Sequence, residues 1–241
     1  MKPFIIILAA GISSRFQKDK MFADLGGLPL FLHSAMRFLD EAESMVLVVP
    51  PDGQQPFKNA CNAHGFDVAN IHFVEGGLTR TASVANALKY LQTNVSPDKS
   101  SAHLVAIHDA ARPFASVALL HRLCETAEQF GGAVPGSPVV DTLLLSDAQD
   151  MAQRAVPRDS LWRVSTPQVF RLNALLEAYT RLSAPSASPV SMTDDSQVFI
   201  ANGGCIKLVE EDADNMKITF PEDLKRAEWL LKINGSVSNL Q

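Results

Sequence analysis

Short apolar runs alternate along the chain with longer segments in which apolar and polar side chains recur at helical spacing. An apolar run rich in isoleucine or valine can fill both faces of a strand, so each run is predicted to be a strand buried in a sheet. Each longer segment is predicted to be an amphipathic helix that packs one face on that sheet. The predicted strands are Phe4–Leu8, Met45–Val49, Ile71–Val74 and Leu104–Ile107, and the predicted helices are Leu30–Leu39, Pro56–His64, Thr81–Leu91 and Val117–Phe130.

This alternation of strand and helix predicts an α/β fold. The expected architecture is Rossmann-like, with a mostly parallel sheet and helices on both of its faces. Ligands of such sheets gather at the carboxyl ends of the strands, so functional residues are expected directly after the predicted strands. We expect residues 1–234 to form a single domain and residues 235–241 to be a flexible tail.

The first predicted strand opens into a loop with the residues of a phosphate-binding site. Ala9–Gly11 are small, so the backbone can turn tightly and bring its N–H groups close to a ligand. Two cations, Arg15 and Lys20, follow in a segment too polar for the core, which predicts a phosphate cradle. The stretch lacks both the G-x-G-x-x-G fingerprint and the Gly-Lys-Ser/Thr of a Walker loop. An ordinary strand–turn–helix with two solvated cations is the alternative.

Two later loops also follow predicted strands. Gly76 and Gly77 permit a close backbone approach, and Ser83 is predicted to open the next helix with its hydroxyl toward a ligand. Asp109 follows the fourth strand, where a magnesium ligand facing a phosphate loop is expected. A glycine turn and a helix cap are the alternatives for these loops taken singly. The combination of all three loops favours a nucleotide site.

The segment from about residue 141 to residue 158 interrupts the alternation. Thr142–Ser146 and Met151–Val156 flank the polar turn Asp147–Asp150, and this pattern predicts a β-hairpin. The hairpin has no place in a parallel sheet, so we expect it to project as a β-arm; a local edge hairpin is the alternative. Ser183–Ser191 is rich in proline and serine and is predicted to be a surface loop.

Composition narrows the choice of partners and compartment. The chain of 241 residues has a formal net charge of −5, which gives no reason to expect nucleic acid as a partner. Its three cysteines are far apart, as expected for free thiols in a reducing compartment. The apolar run at the N-terminus is too short for a signal peptide, and no run reaches membrane-spanning length. We therefore expect a cytoplasmic protein that does not bind a membrane.

Several motifs together resemble one enzyme family. The segments LAAGISSR, GGLTRTASV, HDAARP, PVVDT, RDSLW, TPQ, TDD and ADNMKIT occur in the order and setting seen in the cytidylyltransferases of 2-C-methyl-D-erythritol 4-phosphate. This family belongs to the sugar- and alditol-phosphate nucleotidyltransferases, and the resemblance spans nearly the whole chain. Ser13, Asp19 and Glu211 stand where the family usually has glycine, proline and glycine.

The resemblance implies that CTP is coupled to an alditol phosphate with release of pyrophosphate, as part of non-mevalonate isoprenoid synthesis and with Mg²⁺ as cofactor. Another alditol phosphate, such as ribitol 5-phosphate, is the alternative substrate, and a catalytically silent nucleotide-binding homologue is the alternative from another class. The implied residues are Arg15, Lys20, Asp109 and Lys217 for catalysis; Ala9, Ala10, Gly11, Gly77 and Ser83 for CTP; Thr142, Arg158, Thr166, Thr193 and Lys217 for the substrate; and Asp109 for the metal, with Asp214 or Asn215 as a second contact.

The resemblance also implies roles. Such chemistry needs charge neutralisation and alignment more than a protein nucleophile. Arg15 and Lys20 would stabilise the reacting α-phosphate and the departing pyrophosphate, and Lys217 would bind the attacking phosphate. The β-arm would clasp a second subunit, so that Thr142 and Arg158 complete the neighbour's pocket in a homodimer.

Overall fold

The structure is a computed structural model that describes residues 1–11, 16, 19–95, 103–182 and 192–238. The strands are β1 (Phe4–Leu8), β2 (Asp24–Leu25), β3 (Leu28–Pro29), β4 (Ser44–Val49), β5 (Ile71–Glu75), β6 (Leu104–Asp109), β7 (Gly132–Pro138), β8 (Leu143–Ser146), β9 (Ala152–Val156), β10 (Trp162–Val164), β11 (Gln168–Arg171) and β12 (Lys207–Glu210). The α-helices are α1 (Leu30–Leu39), α2 (Gln54–Ala63), α3 (Arg80–Tyr90), α4 (Val117–Phe130), α5 (Leu172–Leu182), α6 (Asp195–Ala201) and α7 (Asp223–Ser238), with a 3₁₀ turn at Lys20–Phe22 and a π turn at Leu91–Val95.

Four parallel strands form one half of the main sheet, in the order β6–β1–β4–β5. They are the four strands that the apolar runs predict, with small differences at their ends. Leu8 at the end of β1 pairs with Asp109 on one side and Val48 on the other. The carboxyl ends of these strands therefore meet at one edge, as the α/β prediction requires.

The other half of the sheet is mixed, and the hydrophobic pattern does not predict it. Strand β11 runs antiparallel to β6 and β7, β10 also pairs antiparallel with β7, and β12 runs parallel to β7. The sequence of β7, GAVPGSP, has too many glycines and prolines to be recognised as a strand. The reversal matters for the site, because Gln168 at the start of β11 pairs with Ile107 near the end of β6.

Helices cover the sheet on both faces, which confirms the predicted layers. Ile5 and Ile7 of β1 pack on one face with residues of α1, α4 and α7. Phe4 and Ile6 pack on the other face with residues of α3, α5 and α6. Successive side chains of a strand point to opposite faces, so an uninterrupted apolar run is what a doubly covered strand needs.

The predicted hairpin is present, and it forms a two-stranded sheet of its own. Leu143 pairs with Val156 and Leu145 with Arg154, and the register shifts between Leu145 and Ser146. Every residue of β8 is exposed, Leu144 to 61%. In this chain alone, the hairpin therefore leaves its apolar side chains uncovered.

Two predicted segments fall partly or wholly beyond the described ranges. Ser183–Ser191, predicted as a surface loop, lies outside them, as do residues 239–241 of the predicted tail. The backbone of α7 continues to Ser238, so the first residues of that tail are helical. Within the described ranges, no helix is long and apolar enough to cross a membrane.

Candidate active site

Three backbone hydrogen bonds align the predicted loops at the carboxyl edge of the sheet. The N–H of Ala9 donates to the carbonyl oxygen of Val48 (2.8 Å), and the N–H of Gly76 donates to Val49 (2.8 Å). On the other side of β1, the N–H of Ala110 donates to Leu8 (3.1 Å). The loops that begin at Ala9, Gly76 and Ala110 therefore leave the sheet side by side.

The glycine loop presses against the first loop. A Cβ on Gly76 would lie 2.4 Å from the Cβ of Ala10, so only glycine permits this approach. The N–H of Gly77 donates to Oγ of Ser83 (3.0 Å), and that hydroxyl donates to the carbonyl oxygen of Thr79 (3.0 Å). Two residue groups predicted to meet the nucleotide are thus in direct contact, and Ser83 fixes the shape of their junction.

The position of Ser83 differs from the prediction that it opens a helix. Helix α3 begins at Arg80, and its N-cap is Thr79, whose backbone is extended and whose hydroxyl accepts from the N–H of Ala82 (3.0 Å). Thr79 precedes the true first turn, so it is the residue able to satisfy a free N–H there. Ser83 lies inside the helix and is buried.

The backbone N–H groups of Ala9 and Gly77 are both already used inside the protein. What these two residues can still offer to a base is their carbonyl oxygen. Gly11 is exposed, and a Cβ there would meet no atom of the described residues within 4 Å. Toward a ligand, Ala9 and Gly77 can therefore act as hydrogen-bond acceptors.

Asp109, at the end of β6, is surrounded by cations. Its carboxylate lies 2.7 Å from Nζ of Lys217, 3.5 Å from Nε of Arg80 and 3.9 Å from Nε of Arg112. Burial by itself would raise the pKa of the Asp109 carboxyl, but the charge of Arg80, followed by those of Lys217 and Arg112, outweighs burial and holds that pKa well below its ordinary value. The carboxylate is therefore ionised throughout the physiological range.

The segment that carries Lys217 is locked to the loop after β6. The N–H of Ile218 donates to the carbonyl oxygen of Ala111 (2.8 Å), and Arg112 Nη1 donates to that of Asn215 (2.9 Å). Nζ of Lys20 donates to the carbonyl oxygen of Ile218 (3.1 Å). Lys20 thus contacts the residue that follows Lys217, and Lys217 pairs with Asp109, so three residues predicted to act together are joined by neighbouring contacts.

Thr166 is linked by hydrogen bonds to both Asp109 and His108. The N–H of Asp109 donates to Oγ1 of Thr166 (3.0 Å), which lies 3.2 Å from Nδ1 of His108. Nε2 of His108 lies 3.0 Å from the carbonyl oxygen of Arg112, which can only accept, so Nε2 carries the proton and Thr166 donates to Nδ1. Burial lowers the pKa of His108 to about 4, which keeps this neutral tautomer.

Three further predicted site residues, Thr142, Arg158 and Thr193, are exposed in the single chain. Thr142 and Arg158 are exposed at the base of the β-arm, where Arg158 donates to the carbonyl oxygen of Val140. Thr193 is exposed just before α6, and its N–H donates to Gln197 (2.9 Å). Arg15 lies outside the described residues.

The described side chains that face the Asp109 carboxylate are cations. Both carboxylate oxygens already face cations, and the described residues contain no cluster of three acidic, histidine or cysteine side chains that could hold a metal. Asn215 is buried, and its amide donates to Ser165 (3.0 Å) and to the carbonyl oxygen of Thr166 (3.0 Å). Asn215 therefore ties two segments together in this chain.

Sequence reasoning assigned no role to Arg80, Arg112 or Asp195. All three stand inside motifs quoted above, GGLTRTASV, HDAARP and TDD. Their side chains form a partly buried ion-pair group with Asp109, since Arg80 and Arg112 face Asp109 and Arg80 also pairs with Asp195 (2.8 Å). Their opposite charges could have indicated the pair, because Arg80 and Asp195 each begin a helix and both helices pack on the same face of the sheet.

Fold and site together define a class. A parallel sheet whose carboxyl edge joins a small-residue loop, a glycine loop and an acidic residue among cations is typical of α/β nucleotide-binding enzymes. The family model described as 2-C-methyl-D-erythritol 4-phosphate cytidylyltransferase (IspD) matches residues 4–233. The chain belongs to this family of nucleotidyltransferases.

Individual relatives agree over nearly the full chain. The protein of that name from Rhodopirellula baltica is 37% identical over 235 residues, covering 94% of this chain and 93% of the relative. The one from Thermus thermophilus is 38% identical over 236 residues, covering 97% and 99%. The crystal structure from Thermus thermophilus matches with a TM-score of 0.75 at 34% identity, over 96% of this chain and all (100%) of that one. The Francisella tularensis structure matches with a TM-score of 0.78 at 26% identity, over 95% and 99%.

Proposed function

We propose that this chain transfers the cytidylyl group of CTP to 2-C-methyl-D-erythritol 4-phosphate. A phosphate oxygen of the alditol attacks the α-phosphorus of CTP, the bond to the β-phosphate breaks, and pyrophosphate leaves. The product is 4-diphosphocytidyl-2-C-methyl-D-erythritol. The observation that carries the proposal is the 2.7 Å pair of Lys217 and Asp109, placed among further cations where the three loops meet.

The charge of the site suits this reaction. Two polyanions must approach each other, and the protein, although acidic overall, places Arg80, Arg112 and Lys217 around Asp109 and bonds Lys20 to the carbonyl oxygen of Ile218, which follows Lys217. Preorganised cations of this kind stabilise negative charge that develops as a phosphoryl bond breaks. Lys20 and the predicted Arg15 serve the nucleotide side, where the α-phosphate and pyrophosphate carry that charge.

Lys217 serves the alditol side. Its ammonium group is held by Asp109, and its side chain is 43% exposed, so it can meet a phosphate without leaving its partner. A lysine fixed in this way loses less rotamer freedom on binding than a free one. The attacking phosphate is thereby held next to the loop that positions CTP.

The nucleotide pocket suits cytosine. The remaining backbone groups of Ala9 and Gly77 are carbonyl acceptors, and cytosine has an exocyclic amino group that donates. Gly76 packs directly against Ala10, and a pocket built there on backbone groups of Ala9, Ala10 and Gly77 would suit a single pyrimidine ring.

Mg²⁺ is the cofactor that we propose, and it would be carried mainly by the triphosphate. Magnesium commonly keeps several waters and binds substrate phosphates with one or two carboxylates. Since Asp109 already faces three cations, the protein's own contribution in this region is their positive charge. When bound, the metal supplies further neutralisation of the phosphates.

The β-arm supports a homodimer with shared sites. Leu143, Leu144 and Leu145 are all exposed on β8, an isolated hairpin whose uncovered apolar surface would favour association. The same element of a second chain can cover it in a closed, isologous interface. Arg158 and Thr142 at the base of the arm would then reach the partner's substrate, for which a guanidinium fork is well suited.

The test is an assay of pyrophosphate release with purified protein, Mg²⁺, CTP and one alditol phosphate at a time. Methylerythritol phosphate should support turnover, and ribitol 5-phosphate should support far less. Faster turnover with ribitol 5-phosphate would identify that compound as the substrate. No release of pyrophosphate with either compound would favour a catalytically silent homologue. The reaction is proposed to occur in the cytoplasm, where the free thiols of Cys61, Cys124 and Cys205 would stay reduced.

A further inference from the structure

Arg80 contacts two carboxylates on two different elements. Its Nη1 lies 2.8 Å from Oδ2 of Asp195, and its Nε lies 3.5 Å from Oδ1 of Asp109. Arg80 is the first residue of α3, Asp109 ends β6, and Asp195 begins α6. The guanidinium is planar and rigid, so it fixes the distance between the two carboxylates in a way that a flexible ammonium group would not.

Asp195 ties the arginine to the interior. Its carboxylate is completely buried (0% exposed), and the hydroxyl of Tyr179 donates to it (2.6 Å). Among the described residues, Arg80 is the only cation paired with it. A buried carboxylate without a cation is strongly disfavoured, so Asp195 holds Arg80 in one position.

The segment around Asp195 is attached to the site by several further bonds. Gln168, at the start of β11, donates to the carboxylate of Asp194 (2.9 Å) and accepts from the N–H of Ser196 (3.1 Å). Thr81 of α3 donates to the carbonyl oxygen of Met192 (3.1 Å). Thr193, predicted to bind substrate, lies between these attachment points and has an exposed side chain.

We propose that Arg80 is a positioning residue that holds Asp109 and the segment Met192–Ser196 in one arrangement for the alditol phosphate. This inference rests on the proposed function. Arg80 orients Asp109, which orients Lys217, and through Asp195 it also sets the position of Thr193. The Arg80 side chain thus positions both the Asp109–Lys217 pair and Thr193 for the alditol phosphate. The contacts of the glycine loop that serve CTP do not involve this side chain.

If Arg80 had only a structural role, the stability and the activity of its variants would change together. Replacing a buried ion pair by neutral groups is often close to neutral for stability, whereas removing one partner is costly. The double variant Arg80→Met/Asp195→Asn should therefore regain most of the stability that Arg80→Met loses. If Arg80 acts only through stability, activity would return with it; if Arg80 positions Asp109, activity would stay low.

The experiment compares four proteins, the wild type, Arg80→Lys, Arg80→Met and Arg80→Met/Asp195→Asn. Steady-state pyrophosphate release gives kcat and KM for methylerythritol phosphate, calorimetry gives the Kd of CTP, and thermal unfolding gives stability. We expect Arg80→Lys to raise KM for the alditol phosphate about tenfold and to lower kcat about tenfold, with the Kd of CTP changed by less than about twofold. Arg181→Lys, a matched change at an exposed arginine, should behave as wild type.

The outcomes separate the two proposals. A wild type that releases no pyrophosphate overturns the proposed function and this role with it. An active wild type with unaltered Arg80→Lys kinetics overturns the role of Arg80 alone. Recovery of kcat in the double variant, or an equal loss of CTP affinity in Arg80→Lys, would also overturn it.

Discussion

Nζ of Lys217 lies 2.7 Å from Oδ2 of Asp109, although 108 positions separate the two residues in the chain. Because they contact each other, we expect them to act as one unit in catalysis. Lys217→Ala and Asp109→Asn should each lower kcat/KM for the alditol phosphate by about 100-fold, or about 3 kcal/mol. The double variant should lose about as much as either single variant, since coupled residues are not additive. Losses that multiply fully in steady-state kinetics would show that the two side chains act independently.

Lys20→Ala should lower kcat by about 100-fold, more than it raises KM, because the charge matters most where negative charge develops in the transition state. Arg15→Ala should have the same effect. Lys89→Ala, at an exposed position of α3, is the control and should leave kcat unchanged. Single-turnover kinetics would separate the chemical step from product release. If Lys20→Ala keeps a near-normal kcat, Lys18 becomes the next candidate.

CTP should be used in preference to ATP, GTP and UTP. The proposed pocket, built on backbone groups where Gly76 packs against Ala10, would suit a single pyrimidine ring, and UTP would place its own carbonyl oxygen against the carbonyl acceptors. Leaving such polar groups unpaired costs about 1–3 kcal/mol, so we expect roughly a 10- to 100-fold lower kcat/KM for UTP. Turnover measured with each nucleotide at equal alditol phosphate is the test. Equal turnover with any purine triphosphate would contradict the proposed pocket.

Arg158 should act in the partner's active site. Arg158→Ala and Lys217→Ala should each be nearly inactive, and mixing them with subunit exchange should restore activity toward half that of wild type in the heterodimer. The reason is that one of the two shared sites then carries both substitutions and the other carries neither. Exchange must be shown independently, for example with subunits of different mass. Demonstrated exchange without recovery would mean that Arg158 serves its own subunit or no substrate.

The stability of the fold should decrease as pH falls from about 6.5 to about 4. Burial lowers the pKa of His108 from its ordinary 6.5 to about 4, so in this range the unfolded chain takes up a proton that the folded chain does not. The folded protein favours the neutral imidazole of His108, and this contribution to the free energy of unfolding is fully present above pH 6.5. Integrated over the window, the loss is about 3 kcal/mol.

Chemical denaturation at several pH values, with the wild type, His108→Gln and His64→Gln, measures this loss. His108→Gln should remove most of the slope between pH 6.5 and pH 4, because no imidazole is left to protonate. His64 is exposed, so its variant should keep the slope of the wild type. An unchanged slope in His108→Gln would assign the acid sensitivity to other groups.

The sequence by itself determined the parallel half of the fold. Apolar runs such as Phe4–Leu8 can only be strands covered on both faces, and the period of Leu30–Leu39 and Val117–Phe130 is that of a helix, so these elements agree with the prediction residue for residue. The same reasoning located three loops at one edge of the sheet. The hairpin was predicted because its turn chemistry and its flanking strands are local in sequence.

Only the tertiary structure decided how the charges pair. Asp109 was predicted as a metal ligand from its place after a strand, and this stays a prediction; that it also meets Lys217, Arg80 and Arg112 is visible only in the fold. Asp195 is paired with Arg80 across two helices, and Lys20 reaches Ile218 across most of the chain. Contacts between distant segments leave no periodic trace in a sequence, and burial, which sets the pKa of His108 and the cost of leaving Asp195 unpaired, exists only once those segments have packed.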